Sequence, residues 1–304
     1  GGLRAVIYTE LLQTFVLILG SVVLTGLGLW AVGGWTGLRN AVPPEFFDMW
    51  KPADHPDFPW TGIVFGAPIL GVWYWCTDQY IVQRVLAARN VDEARRGTLF
   101  AGYLKILPVF LFVLPGMIAA ALYADVRGDA ADQAFPALVT RLLPLGLKGL
   151  VVAGLLAALM SSLASVFNSC STLLTWDLYR SWRPRASERE LVSVGRIATA
   201  GLVALGLLWI PFMRYISSQL YIYLQSVQAY IAPPIAACFL WGLLSTRPNG
   251  TGAIASLCTG FVLGALRLAL ELANGPDRSG LPDRTVWAWL AEMNFLHFAV
   301  FLFA

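Results

Sequence analysis

The stretch Ala158-Leu159-Met160-Ser161-Ser162-Leu163-Ala164-Ser165-Val166-Phe167-Asn168-Ser169 sets four serines into an apolar run. On a helix Ser161 and Ser165 share a face, as do Ser165 and Ser169. Ser162 follows Ala158 by four residues, so its hydroxyl can sit beside the Ala158 carbonyl. Two hydroxyls and a carbonyl make a cluster of hard oxygens suited to a small cation. Without carboxylates it suits a monovalent ion better than calcium or magnesium. Serines in apolar helices also mediate close packing and bond back to their own turn. Both readings fit the residues.

A second group surrounds Gly66-Ala67-Pro68-Ile69-Leu70-Gly71-Val72-Trp73-Tyr74-Trp75-Cys76-Thr77-Asp78-Gln79. Gly and Pro within an apolar stretch weaken a helix and free its backbone polar groups. In a membrane such backbone survives only against protein or a water-filled cavity, and broken helices mark transporter binding sites. Trp73, Tyr74 and Trp75 offer flat apolar faces that suit a sugar ring. A proline kink with an interfacial aromatic belt is the alternative. Lys105 lies inside the next apolar stretch, either reaching back to the interface or donating to substrate oxygens in a cavity. Glu10 sits near one end of the first apolar stretch, as an interfacial acid or a transient cation ligand. Gln225 and Gln228 precede Pro233-Pro234, where a helix break is expected. Their amides need partners, which a polyol or a neighbouring helix supplies. His55 and His297 are isolated. There is no nucleophile–base pair, phosphate-cradling glycine loop or metal-ligand spacing, so no enzymatic activity is expected.

The elements that must position these residues are membrane helices. Of the 304 residues, 58% are apolar and 13% charged, against about 25% charged in a soluble domain. Apolar stretches run over 5–32, 60–82, 98–123, 147–175, 192–212, 219–244, 251–273 and 286–304, the last cut off. A span needs about 20 such residues, and spanning segments of this kind are helical. The expectation is an all-α polytopic bundle of seven complete spans and a partial eighth. It forms one transmembrane domain over 1–304, truncated at both ends. Gly260 and Gly264 form a GxxxG pair in the seventh span, and short helices are expected within Phe135–Lys148.

Loop charge gives the orientation. One set of loops holds Arg84, Arg89, Arg95, Arg96, Arg180, Arg183, Arg185, Arg189 and Arg247. The alternate set holds Arg39, Lys51, Arg127, Arg214, Arg278 and Arg284 together with most loop acids. The positive-inside rule places loops 83–97, 176–191 and 245–250 in the cytoplasm of a cell-membrane protein. The small net charge of +3 carries no nucleic-acid signature.

Taken in order, these motifs resemble the sodium/glucose cotransporter family of sodium/solute symporters, as in the C-terminal two-thirds of a bacterial-type member. The stretches that carry the resemblance are Gly1-Gly2-Leu3 through Glu10, Trp73 through Gln79 with Ile81-Val82-Gln83-Arg84, Gly102-Tyr103-Leu104-Lys105, Pro115-Gly116-Met117-Ile118, Ala158 through Asn168, and Gln225 with Pro233 through Ala237.

The resemblance implies a five-plus-five inverted-repeat fold with broken helices, of which the first four core helices are missing. It implies sodium ligands at Ala158, Ser161 and Ser162. Sugar-contacting positions fall at Lys105, Ser165 and Gln225. Tyr74 takes the place of an inner aromatic gate, with Trp75 beside it. Glu10 stands where an acid, usually Asp, serves sodium release. Two departures bear on substrate: Gly71 replaces a hydroxyl or amide residue, and Tyr221 replaces Phe. The implied function is sodium-coupled symport of a sugar or polyol by alternating access, in a lipid bilayer. An uncoupled sugar sensor, a leak channel, or a symporter of another solute are the alternatives.

Overall fold

The computed structural model describes residues 3–216, 220–274 and 285–304. Gly1, Gly2, Arg278 and Arg284 lie outside the described residues, as do the side chains of Asp129 and Arg214. The helices are α1 (Leu3–Ala31), α2 (Gly34–Ala41), α3 (Trp60–Phe65), α4 (Ala67–Val72), α5 (Gln79–Leu86), α6 (Val91–Leu104), α7 (Leu114–Leu122), α8 (Ala134–Leu142), α9 (Leu145–Thr172), α10 (Arg180–Trp182), α11 (Glu188–Ile216), α12 (Leu220–Leu244), α13 (Gly250–Asn274), α14 (Val286–Glu292) and α15 (Phe295–Phe303). Wider π-helical turns join some of them, at Trp73–Thr77, Val109–Val113 and Leu173–Tyr179. The described residues contain no strand.

Among the described residues six helical stretches are long and apolar enough to cross a membrane: Ile7–Ala31, Val91–Leu122, Leu145–Trp182, Glu188–Pro211, Leu220–Leu244 and Gly250–Asn274. The chain is therefore an all-α multi-pass membrane protein. Two of the eight apolar stretches are not among these six. The second is divided at Gly66, where a Cβ would come within 2.3 Å of the Leu296 carbonyl oxygen. Pro68 then falls in the first turn of α4, where its missing N–H costs nothing. The last is two helices bent by 110°. Its corner is fixed by Asn294, whose side chain accepts from Leu296 N at 2.9 Å and donates to the carbonyls of Pro56 and Asp57.

The chain forms two compact units. The first comprises Gly1–Phe47 and Ala88–Leu208. Its core packs α1, α7, α8 and α9 around the fully buried Leu24, Leu38, Ile118 and Leu138. Helices α1 and α9 run antiparallel along a glycine seam. A Cβ at Gly20 would lie 2.6 Å from Val151, and one at Gly154 would lie 3.0 Å from Val16. At the loop end of this unit Arg141 makes a bidentate pair with Asp125, at 2.6 and 2.9 Å. The hydrogen bond from Arg141 holds the Asp125 carboxyl below its ordinary pKa.

The second unit comprises Asp48–Ala87 and Trp209–Ala304. Helix α12 is its centre, packed on α13, α15 and α4. The expected break at Pro233-Pro234 does not occur, and α12 is helical from Leu220 to Leu244. Two prolines remove two N–H donors and leave the Ala229 and Tyr230 carbonyls without their usual partners. Helix α13 compensates. The Pro234 ring fills the space a side chain at Gly260 would take, 2.4 Å from its Cβ position. The freed Tyr230 carbonyl rests on Gly264, 2.3 Å from that Cβ position. A Cα–H···O contact of this kind is recurrent at helix–helix interfaces. The GxxxG pair and the double proline are thus two sides of one contact.

Candidate functional site

The candidate residues divide between the units: Glu10, Lys105, Ala158, Ser161, Ser162 and Ser165 lie in the first, and Tyr74, Trp75 and Gln225 in the second.

In the first unit α1 brings Glu10 to α9. The seam pairs Gly20 with Val151 and Val16 with Gly154, residue numbers that sum to a nearly constant value, as antiparallel helices require. Continued along the helices, that register sets Glu10 opposite Ser161. Ser161 Oγ donates to Glu10 Oε1 at 3.1 Å, and both residues are half-buried. Small residues at positions 20 and 154 let the helices approach closely enough for this bond. Glu10 thereby sets a carboxyl group beside Ser161 in the serine-rich part of α9. Ser165 is half-buried one turn further along α9, and Ser162 is exposed on its unit.

Lys105 occupies a break that sequence reading passed over. Helix α6 ends at Leu104, Lys105 and Ile106 form a turn, and the chain resumes through Pro108 into the π-helical turn Val109–Val113. Pro108 was the signal. It has no N–H for the Leu104 carbonyl, so the helix cannot pass through it undisturbed. Lys105 is exposed at this turn.

In the second unit the aromatics sit on the wide turn Trp73–Thr77. Asp78 N donates to the Trp73 carbonyl at 3.2 Å, and Thr77 Oγ1 donates to the same carbonyl at 2.7 Å. Asp78 then caps α5 by accepting from Tyr80 N at 2.9 Å. Such turns recur at functional sites because they rotate side chains out of α-helical register. Here Tyr74 and Trp75 stand edge to face, ring centroids 5.1 Å apart, and Trp73 packs against Tyr74 at 6.2 Å. Helix α12, which carries Gln225, packs on this turn. Gln225 Nε2 donates to the Tyr221 hydroxyl at 2.8 Å, so the Phe-to-Tyr departure occupies part of the glutamine's hydrogen-bonding capacity. Gly71 opens onto empty space, with no atom within 4 Å of its Cβ position.

The described residues thus combine a divided second apolar stretch, a serine–carboxyl contact between two antiparallel helices and paired aromatics on a wide turn. The chain belongs to the sodium:solute symporter family, whose model matches residues 1–260. It is 42% identical to sodium/myo-inositol cotransporter 2 of Mus musculus, over 99% of this chain and 50% of that protein. It is 43% identical to sodium/glucose cotransporter 4 of Mus musculus, over 99% of this chain and 49% of that protein. It is also 43% identical to a sodium/mannose cotransporter of Bos taurus, over the whole chain and 56% of that protein. The chain spans about half the length of these curated relatives.

One buried ionic cluster escaped sequence reading altogether. Arg267 and Glu271 on α13 are paired at 2.7 Å, with Arg267 2% exposed and the Tyr230 hydroxyl donating to Glu271. Two opposite charges four residues apart inside an apolar span were the available signal.

Proposed function

We propose that this chain is part of a sodium-coupled symporter that carries a sugar or polyol by alternating access. Ala158, Ser161 and Ser162 hold the sodium, with Glu10 adding the charge that draws the ion in and assists its release. Lys105 and Ser165 are sugar-contacting positions in one unit, and Tyr74, Trp75 and Gln225 in the other, with Tyr74 as the inner gate. Loops 83–97, 176–191 and 245–250 face the cytoplasm. The relatives, named for glucose, myo-inositol and mannose, support a polyhydroxyl substrate. The observation that carries the reading is the Ser161–Glu10 hydrogen bond. It joins two positions that the family resemblance assigns separately to sodium binding and sodium release.

The energetics suit such a carrier. One sodium moving down 100 mV supplies about 2.3 kcal/mol, and a tenfold sodium gradient adds about 1.4 kcal/mol. The sum, about 3.7 kcal/mol, sustains a substrate gradient of roughly several hundred-fold. No nucleotide hydrolysis is needed.

The test is uptake of labelled glucose, mannose and myo-inositol by the full-length protein in proteoliposomes, with an inward sodium gradient. Uptake that persists unchanged when potassium replaces sodium would sink the symport reading. The residue-level arm compares Ser162→Ala with Ser169→Ala. Ser162→Ala is expected to weaken sodium dependence more, whereas equal effects would make these serines packing residues.

A further inference from the structure

Arg267 lies on α13 within the span Gly250–Asn274 and is 2% exposed. A charge at that depth persists only where it is fully engaged, and this one is engaged on every side. Its Nε donates to Glu271 Oε1 at 2.8 Å. One terminal nitrogen donates to the Leu290 carbonyl, the other to the Met293 carbonyl at 2.5 Å. Its flat face lies 5.1 Å from the centroid of the Phe298 ring. The second oxygen of Glu271 accepts from the Tyr230 hydroxyl on α12.

Each contact answers a specific local need. Leu290 and Met293 belong to the C-terminal end of α14, where a helix leaves carbonyls unpaired. The chain turns through 110° there, so α15 cannot continue the ladder and Arg267 supplies the donors. Tyr230 is five residues after Gln225 and three before Pro233, in the part of α12 whose ladder lacks two N–H groups. A purely packing role would be met by apolar side chains of similar volume, which are often as stable as a buried ion pair. A charged, directional network adds a fixed geometry instead.

We propose that Arg267 is a positioning residue. Through Glu271 and Tyr230 it ties the proline-weakened part of α12 to α13 and to the α14–α15 corner, and so sets the pose in which Gln225 meets substrate. The inference rests on the proposed role of Gln225 in sugar binding. The clamp itself is a property of the second unit alone.

Tyr230→Phe keeps the ring and removes the hydroxyl, which reaches Glu271 and also bonds Ser226 on its own helix. Spin labels at the exposed Leu224 on α12 and Val262 on α13, in cysteine-free full-length protein, report the separation of the two helices. Sugar uptake in proteoliposomes gives KM and Vmax. Tyr230→Phe is expected to broaden the label distance distribution and raise KM about three- to tenfold, the size of one typical hydrogen bond. Vmax per inserted molecule stays within about twofold. In a Gln225→Ala background the same substitution adds no further rise in KM. Arg267→Lys, which keeps the charge without the forked donors, gives an intermediate KM. An unchanged distance distribution in Tyr230→Phe overturns the proposal, and so does a broadened distribution with wild-type KM. If the unmutated protein takes up no sugar with sodium, the symport reading fails, while the label distances still decide whether the clamp exists.

Discussion

Replacing Glu10 by Gln removes one unit of negative charge while keeping a hydrogen-bond acceptor for Ser161. Ser161 Oγ and Glu10 Oε1 are 3.1 Å apart. A cation held by that hydroxyl at about 2.4 Å stands about 5 Å from the carboxylate charge. At an effective dielectric of about 20 the attraction is about 3 kcal/mol, which is roughly 100-fold in sodium affinity. Ser161→Ala removes one neutral ligand but leaves the charge, and costs about 1 kcal/mol, roughly fivefold. The larger effect therefore belongs to the residue that is not itself one of the three proposed sodium-ligand positions. Because the two groups touch, the double variant is expected to be non-additive by about 0.5–3 kcal/mol. Glu10→Asp retains the charge and stays close to wild type. The assay is the half-saturating sodium concentration for sugar uptake by the full-length protein at saturating sugar. A shift of less than about twofold in Glu10→Gln, or a larger effect from Ser161→Ala, would refute the electrostatic reasoning.

Three further outcomes are expected. Gly264→Ala forces a Cβ to within 2.3 Å of the Tyr230 carbonyl oxygen, a backbone clash worth about 1–3 kcal/mol. The thermal midpoint in detergent falls accordingly, whereas Gly71→Ala, facing open space, leaves it unchanged; equal midpoints would remove the α12–α13 seam from the account. Tyr221→Phe releases the Gln225 amide from its 2.8 Å bond and changes the KM for sugar. The change disappears in a Gln225→Ala background if Tyr221 acts through Gln225, and persists if it does not. Asp125→Asn breaks the exposed pair with Arg141. Because pairing lowers the folded-state pKa of Asp125, its contribution is present above the ordinary carboxylate range of about 4 and is lost as pH falls through the lowered value. Wild type and variant should therefore differ in thermal midpoint at neutral pH and converge under acid. A gap that stays constant with pH would mean that the pair contributes nothing.

Much of this protein was legible in its sequence because the bilayer imposes simple rules. Long apolar stretches had to be helices, since no water satisfies a spanning backbone in any other form. The Gly66–Pro68 break was visible because those two residue types act locally through conformational freedom and a missing donor. The serines of α9 stood out by spacing alone. Three features were decided by partners distant in sequence. Whether Pro233-Pro234 breaks α12 depends on how a neighbour packs on the weakened turn, and here Gly264 receives the Tyr230 carbonyl while Gly260 makes room for the Pro234 ring. That Glu10 meets Ser161, 151 positions away, depends on the antiparallel register of α1 and α9 set by Gly20 and Gly154. The buried Arg267 is satisfied by Glu271 on its own helix and by two carbonyls that the corner of α14 and α15 presents to it. Residue types determined which polar groups had to be satisfied within the membrane, and the tertiary structure decided which partners satisfied them.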